Sequence, residues 1–590
     1  MHDRARRGVA VVVVAAAVTA GVTAWADGVR DVFVLAAVDA TAADSSAAAF
    51  TERSRILRIQ RRLRQLGLYR GLLDGRVTAE TTAAIRAYQR LAGLPVDGVP
   101  SRTLFEDLDA AAVEGKRLLG RLETARRDQI AAARRALEAH APARALIAGA
   151  SARAPRKGVE AADRASCFAA PTPACLLDGA LAAAIKVNKA NFRDWALGDV
   201  AVAQAAAGRG SAALATAARM GDPRLLIAAL NRIARAQAET GNFDNARATA
   251  RAIPDVRVRA EALNTVAATQ LAAGDEAGAR ATLSQALRAA ALAEPEPQAF
   301  LLSEIAAVQA KSGDPVGAFA SLNEARDRAG AANTASGRAR ALSRVATAMA
   351  EIGWIDEALA MVENIGDARH RTPVLILAAV AQAETGDVPL ALETIAAIED
   401  THHRVVALGK VALVQARAGA TAAARSILAR ARAAIDKIDY GYARAYALSR
   451  IALTETEMGA VGDALELLKQ IDDVALRART LWTASAAQTR FGDKAAAQRS
   501  AALALAATDM IEDPLDRLWL LSDIAVARSR AGDESGARAL FDRTLEYAEA
   551  MTTPWLRARA FSRLATALVE MRRGAAVTPA GGLGPEFSPQ

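Results

Sequence analysis

Histidine, cysteine and aromatic residues are scarce in this sequence, and each shortage narrows what the chain can be. The 590 residues include 5 histidines and 2 cysteines, and aromatic residues account for 4%. An apolar fraction that is mostly alanine and so poor in aromatics suits closely packed helices better than a β-sandwich. The cysteines, Cys167 and Cys175, stand in CFAAPTPAC. Two thiols are too few for a metal site, and no histidine motif partners them as nucleophiles. His140 lies in the helical text ALEAHAPARAL, and His402 and His403 are adjacent without a third ligand in sight. All three are expected at the surface, with no metal and no cofactor. H-E-x-x-H, G-x-S-x-G, S-x-x-K, P-loop and Ser-His-Gly-Cys runs are missing, so no catalytic residue is assigned. A glycosidase needs only carboxylates. Once the segments below are assigned, however, no stretch remains for a catalytic domain.

Apolar runs long enough to cross a membrane are absent after the first one. That one, GVAVVVVAAAVTAGVTAWA, follows MHDRARR and ends in Ala24-Trp25-Ala26, the A-x-A pattern of a signal-peptide cleavage site. Cleavage after Ala26 is expected, with an uncleaved inner-membrane anchor as the alternative. No cysteine follows the leader, so a lipid anchor is not expected. The formal charge of +9 loses three arginines and one aspartate with residues 1–26, leaving +7. A basic, exported chain without stable membrane insertion points to an anionic wall or polymer, not to nucleic acid. In that oxidising setting Cys167 and Cys175 read as a local disulfide.

What the chain has in abundance is one repeated phrase. LNRIARAQAETGNFDNARA, LNTVAATQLAAGDEAGARA and LSRVATAMAEIGWIDEALA align on a glycine, which recurs at Gly208, Gly241, Gly274, Gly313, Gly353, Gly386, Gly419, Gly459, Gly492 and Gly532. A leucine stands eleven residues before every one of them (Leu197 through Leu521), and an alanine five after (Ala213 through Ala537). Each unit reads as a helical hairpin: glycine stops helix A in a left-handed C′ conformation, and the next residue, often Asp or Asn, caps helix B. Spacings of 33 and 40 differ by seven residues, two helical turns, which returns the longer hairpin to the same face. One spacing is 39, and the break AEPEPQ is expected to absorb the lost residue. Short units close on Ile-x-Asp, as at Ile253 to Asp255, with the aspartate capping the next helix A and an arginine one turn in. A glutamine column four before the glycine (Gln204, Gln237, Gln270, Gln309, Gln382, Gln415, Gln488) is expected to satisfy loop carbonyls inside each hairpin. A ladder for an extended ligand is the alternative. Trp195, Trp354, Trp482 and Trp519 read equally as core or as anchors.

These units resemble tetratricopeptide repeats over residues 176–572, with leucine in place of the usual helix-A tryptophan. The resemblance implies a right-handed superhelix of about ten hairpins whose concave side holds a protein partner. FSRLATALVEM, residues 561–571, repeats helix A and then stops at Arg572, as a terminal cap would.

The other distinctive text is RILRIQRRLRQLGLYRGLLDGRVTAETTAAIRAYQRLAGLPVDGVPSRTLFEDL, residues 55–108. Leu57, Gln60, Leu63 and Leu66 trace a first helix ended by Gly67. Thr81 or Thr78 opens a second, with Ala84, Ile85, Tyr88 and Leu91 on one side. Thr103 opens a short third. Asp74-Gly75 and Asp97-Gly98 mark the turns between them. Leu66-Gly67-Leu68-Tyr69, Asp74-Gly75, Tyr88-Gln89, Gly93 to Gly98 and Thr103-Leu104 resemble the peptidoglycan-binding domain found beside many bacterial wall enzymes. The family's glycine three after the first Asp-Gly is Thr78 here, and the Asp-to-Thr interval falls from seven to six in the second half. The resemblance implies wall binding, with Tyr69, Arg70, Asp74 and Arg76 as candidate contacts for glycan or stem peptide.

The whole is expected to be all-α. Residues 1–26 form a signal peptide, 27–54 a linker and 55–108 the wall-binding module. A helical or flexible linker follows over 109–165, then a repeat solenoid with an N-terminal disulfide loop over 166–572, and a disordered tail over 573–590. The expected function is a periplasmic scaffold that holds peptidoglycan at one end and one or more envelope proteins on the solenoid. The alternatives are an accessory or enzyme of wall remodelling, and secretion beyond the cell.

Overall fold

A computed structural model describes residues 52–66, 68–69, 71–153 and 164–574. The leader, most of the first linker, Gly67, Arg70 and residues 575–590 of the tail lie outside the described residues. The described residues are helical without strands and fall into two units that divide near residue 131.

The first unit contains α1 (Glu52–Gln65), α2 (Ala79–Leu91) and the start of α3 (Arg102–Ala139). Ile59, Leu63, Tyr69, Ala84, Ile85, Tyr88, Leu104 and Leu108 form its core. Two expected core positions differ: Ile56 and Ile59 are buried and Leu57 only partly so, and Leu91 is exposed while Gln89 is buried. The third helix is not short and does not open at Thr103. Ser101 Oγ accepts from Leu104 N at 3.0 Å, and the helix runs on to Ala139.

In the second unit, helix A of each repeat is constant and helix B is not. The ten A helices, each seventeen residues long, are α7 (Ala190–Ala206), α9 (Pro223–Glu239), α11 (Val256–Ala272), α13 (Pro295–Lys311), α15 (Ala335–Glu351), α17 (Ala368–Glu384), α19 (Thr401–Arg417), α21 (Gly441–Glu457), α23 (Val474–Arg490) and α25 (Pro514–Arg530). The B helices are short in α8 (Gly210–Ala217), α10 (Phe243–Arg251), α16 (Ile355–Val362), α18 (Val388–Ala396) and α22 (Val461–Lys469). They are about two turns longer in α12 (Glu276–Ala290), α14 (Pro315–Gly330), α20 (Thr421–Ile435), α24 (Lys494–Asp509) and α26 (Glu534–Ala550). The extra residues of the long repeats are thus spent almost wholly in helix B. In the 39-residue unit α12 is one residue shorter than α14 but as long as α20, and Pro295 and Pro297 of the AEPEPQ segment belong to α13.

All ten repeat glycines have φ between +75° and +92°, the left-handed region open to glycine. At Gly241 the amide donates to Ala238 O (2.8 Å) and Asn242 N to Gln237 O (2.9 Å), the paired bonds of a Schellman turn. Asp275, Asp314, Asp387, Asp493 and Asp533 cap their B helices through the side chain, whereas Asn242 does not. At the other end of the short hairpins, Asp255, Asp367, Asp400 and Asp473 cap the next helix A. The arginine one turn in reaches back to the last carbonyl of the preceding hairpin: Arg259 to Ile253 O (2.8 Å), Arg404 to Ile398 O (3.2 Å) and Arg477 to Ile471 O (2.9 Å).

The array does not end in a cap. Helix α27 (Pro554–Gly574) carries the last helix-A phrase and packs along α6 (Pro173–Ile185), which lies before the first complete repeat. α6 takes the helix-B place of an eleventh hairpin, and α27 also lies against α7 and α25 as any helix A lies against its two neighbours. The solenoid is therefore closed on itself, where the repeat pattern led us to expect an open superhelix with a solvent-facing last helix. Phe561, in the leucine slot of α27, packs edge-on to Phe168 at 5.6 Å and against Gly179, where a Cβ would stand 3.2 Å from its ring. Asp199 joins both sides of the seam, accepting from Arg232 at 3.0 Å and from Arg559 at 2.9 Å across 360 residues of chain.

Consecutive A helices pack on one another around the circuit, while the B helices pack on their own A helix and the next one, and α4 (Ala141–Arg153) lies against α8 and α10 as well. The A helices thus form the inner wall. Eleven helix axes about 9 Å apart make a circle of roughly 16 Å radius. The slot nine before the turn glycine carries ion pairs along this wall, such as Arg344 with Glu351 and Arg563 with Asp523.

Two outcomes follow from this packing. Phe561→Ala should cost about 3–5 kcal/mol, and hydrogen exchange should show residues 173–206 and 554–574 losing protection together. Glu304, in the same inner slot, is held above the ordinary carboxylate value of 4.5, first by burial and then by Glu261 and Glu351, against the pull of Arg344. The cost of its charge is absent below that value, grows as pH rises towards the folded pKa, and is complete above it. Glu304→Gln should raise the Tm at neutral pH, with the gain vanishing near pH 4.

Candidate wall-binding site

The two Asp-Gly turns of the first unit are built by one device used twice. Gly75 and Gly98 have φ of +71° and +75°. Each donates its amide to a buried glutamine, Gly75 N to Gln60 Oε1 and Gly98 N to Gln89 Oε1, both at 2.9 Å. The glutamine amide groups reach the aspartates, Gln60 to Asp74 Oδ1 at 3.3 Å and Gln89 to Asp97 Oδ1 at 2.6 Å. Each aspartate also accepts from the backbone two residues on, Arg76 N and Val99 N, at 2.9 Å. Those backbone bonds are the first cause, with the glutamines adding to them, that holds both carboxyls below the usual carboxylate range.

The turns also share their exit. Thr78 caps α2, accepting from Thr81 N at 3.2 Å, and Ser101 caps α3. Both caps stand four residues after their aspartate. The apparent shortening of the second half came from pairing Thr81 with Thr103, when the equivalent residues are Thr78 and Ser101. Threonine in place of the family's glycine is accordingly a helix cap. What differs between the halves is the path before the turn, from Gln60 to Gly75 and from Gln89 to Gly98.

This construction divides the four candidate contacts. Tyr69 is 3% exposed, with its hydroxyl donating to Leu72 O at 2.8 Å and accepting from Gln60 Nε2 at 3.2 Å. It belongs to the core. Asp74 is committed to the turn, and Arg70 lies outside the described residues. Of the three described candidates, Arg76 alone extends its side chain into solvent, its carbonyl meanwhile accepting from Gln60 Nε2 at 2.9 Å. Apolar side chains beside the turns, not among the four candidates, are also open to solvent: Leu72 (80% exposed), Val77, Val96 and Val99. Their signal was present, as aliphatic residues flanking both Asp-Gly pairs where a turn usually carries polar ones.

Elsewhere, several chemistry-bearing residues turn out to be structural. Cys167 and Cys175 form a disulfide between α5 (Arg164–Ala169) and the start of α6. Five glutamines of the column accept from a hydroxyl twelve residues on, as Gln204 from Thr216 and Gln237 from Thr249, both at 2.8 Å. Their partner is thus a helix-B side chain, not a loop carbonyl. Trp482 is buried, with Nε1 donating to Thr508 Oγ1 at 3.3 Å. Trp354 pairs with Phe319, and Trp195 with Phe192. Trp519 and Trp555 flank the Arg559 guanidinium at 4.5 and 5.0 Å. His140 bonds to Arg251 O at 2.8 Å. His402 and His403 do have a third potential ligand: capping Asp400 folds over the first turn of α19, and the three present ligand atoms within 4.8 Å of one another. Asp400 Oδ1 already serves His403 N and Nδ1, at 2.9 and 2.7 Å.

Gln60→Leu and Gln89→Leu should each destabilise the first unit by about 2–3 kcal/mol, because the turn amide and carboxylate lose their buried partner. Arg76→Ala should change its stability by less than about 0.5 kcal/mol. Amide exchange at Gly75 and Gly98 separates the two outcomes.

No curated protein sequence matches this chain. Among solved structures it is similar to Ton1535 from Thermococcus onnurineus NA1, at 18% identity over 54% of this chain and 96% of that one, with a TM-score of 0.26. It is also similar to a circular tandem repeat protein with novel repeat topology and enhanced subunit contact surfaces, at 14% identity over 75% of this chain and 98% of that one, with a TM-score of 0.15. Residues 52–108, the segment that holds both glutamine-clamped turns, match the family described as a putative peptidoglycan binding domain.

Proposed function

We propose that this protein is a non-catalytic scaffold of the cell envelope, tethered to peptidoglycan through residues 55–108 and presenting its helical repeats to an envelope protein. The observation that carries the reading is the paired Asp-Gly construction within a segment that matches a peptidoglycan-binding family. Export fits the A-x-A leader and the Cys167–Cys175 disulfide, a bond that persists in oxidising compartments. The likeness of the repeats to tetratricopeptide hairpins supports a role in protein recognition, as do the Gly-turn, leucine and alanine slots. Closure alters where a partner would sit. The surfaces on offer are the inner wall, the two rims and the outer B helices, in place of an open concave groove. Excess arginine favours an anionic mesh through long-range attraction.

Sedimentation with isolated sacculi tests the tether. The full chain without residues 1–26 should pellet with the sacculi and release no soluble muropeptide, and a chain lacking residues 55–108 should stay in the supernatant. Muropeptide release would favour the rival reading, an enzyme or accessory of wall remodelling. Equal pelleting of both chains would remove the tether.

A further inference from the structure

Alternation of short and long B helices makes steps in the outer wall. Wherever a short B helix precedes a long one, the last two turns of the longer helix overhang its neighbour. This happens between α10 and α12, between α18 and α20, and between α22 and α24. The first step encloses an open concavity of about 510 Å³ lined by Arg251, Arg259, Leu263, Gln285, Arg288, Ala289 and Leu292. Three arginines line it and, among the described residues, no carboxylate does. Among the described residues, the side chains of Arg251 and Arg288 have no hydrogen-bond or ion-pair partner, and both are exposed. Arg259 is half-buried and bonds only to the Ile253 and Pro254 carbonyls. Burial disfavours its charge, and Asp255 opposes that only in part. The Asp255 carboxylate is itself engaged in capping Val258 N at 2.9 Å.

The repeat supplies its own comparison. Slots equivalent to Arg251 and Arg288 hold Ala396 and Ala433 at the second step, and Lys469 and Ala506 at the third. Lys469 is already paired with Glu466. The arginine equivalent to Arg259 persists at both, as Arg404 and Arg477, because it ties one hairpin to the next. Arg251 and Arg288 have no such duty. Clustering three like charges with only the capping Asp255 to oppose them is unfavourable unless an anion completes the set, and a guanidinium fork matches the oxygen pairs of carboxylate and phosphate.

We propose that the α10–α12 step is a binding site for a small anion bearing carboxylate or phosphate oxygens, held by Arg251, Arg259 and Arg288, with Leu292 against its apolar part. Calorimetric titration of the full chain with succinate and, separately, with inorganic phosphate tests this, against sodium chloride at matched ionic strength. Saturable binding is expected for at least one, and the tighter of the two identifies the oxygen chemistry. Arg251→Gln and Arg288→Gln should each weaken it at least tenfold with an unchanged Tm, and Arg430→Gln at the second step should have no effect. Absence of saturation with both anions, or affinity unchanged in the Arg251→Gln/Arg288→Gln double variant, would overturn the proposal.

Discussion

A stack of helical hairpins buries its apolar faces only between neighbours, so each of its two ends presents a face with nothing to cover it. Repeat proteins generally meet this with polar terminal units. Here the two ends cover each other. Among the described residues, helix α6, before the first complete repeat, has no helix A paired with it from the preceding sequence, and no helix B follows α27. Their pairing makes one hairpin from the extremes of the repeat region, and the structure of the second unit depends on it. The ion pairs of Asp199, the Phe168–Phe561 contact and the disulfide beside α6 all lie at this junction.

Closure demands that the turns between successive hairpins add up to a full circle, and the inner wall is built from regular units. Every A helix of the ten repeats has the same length, and the leucine, glycine and alanine slots recur without exception. Variation is confined to the B helices, whose free ends project from the outer wall and can lengthen by two turns without moving the inner one. The steps created there are a by-product of that freedom, and the chemistry placed in them differs from step to step.

Much of this was legible in the residues. Glycine with a capping aspartate announces a hairpin through local backbone chemistry, and a slot pattern kept over ten units announces stacking. Closure was not legible, because it joins residues some 360 positions apart and α6 carries no repeat phrase to mark it as a helix B. In the first unit the turns could be read but the roles of their residues could not. Tyr69 and Asp74 look like polar contacts in a loop, yet the geometry spends them on the core and the turn. Gln60 falls on the apolar face of the first helix and Gln89 in the family motif, but neither pattern tells that the two side chains are buried against two glycine amides. Lone apolar residues such as Leu72 gave a signal that a turn-based reading discards. The third ligand beside His402 and His403 was hidden for a similar reason: a cap was assigned to Asp400, and a capping side chain also overhangs the first turn.

An electron cryomicroscopy map of the purified full chain would test the closed array most directly. The account predicts eleven hairpins in an unbroken circuit, with the C-terminal helix lying along residues 173–185. Ten hairpins in an open superhelix, with those two segments apart, would contradict it.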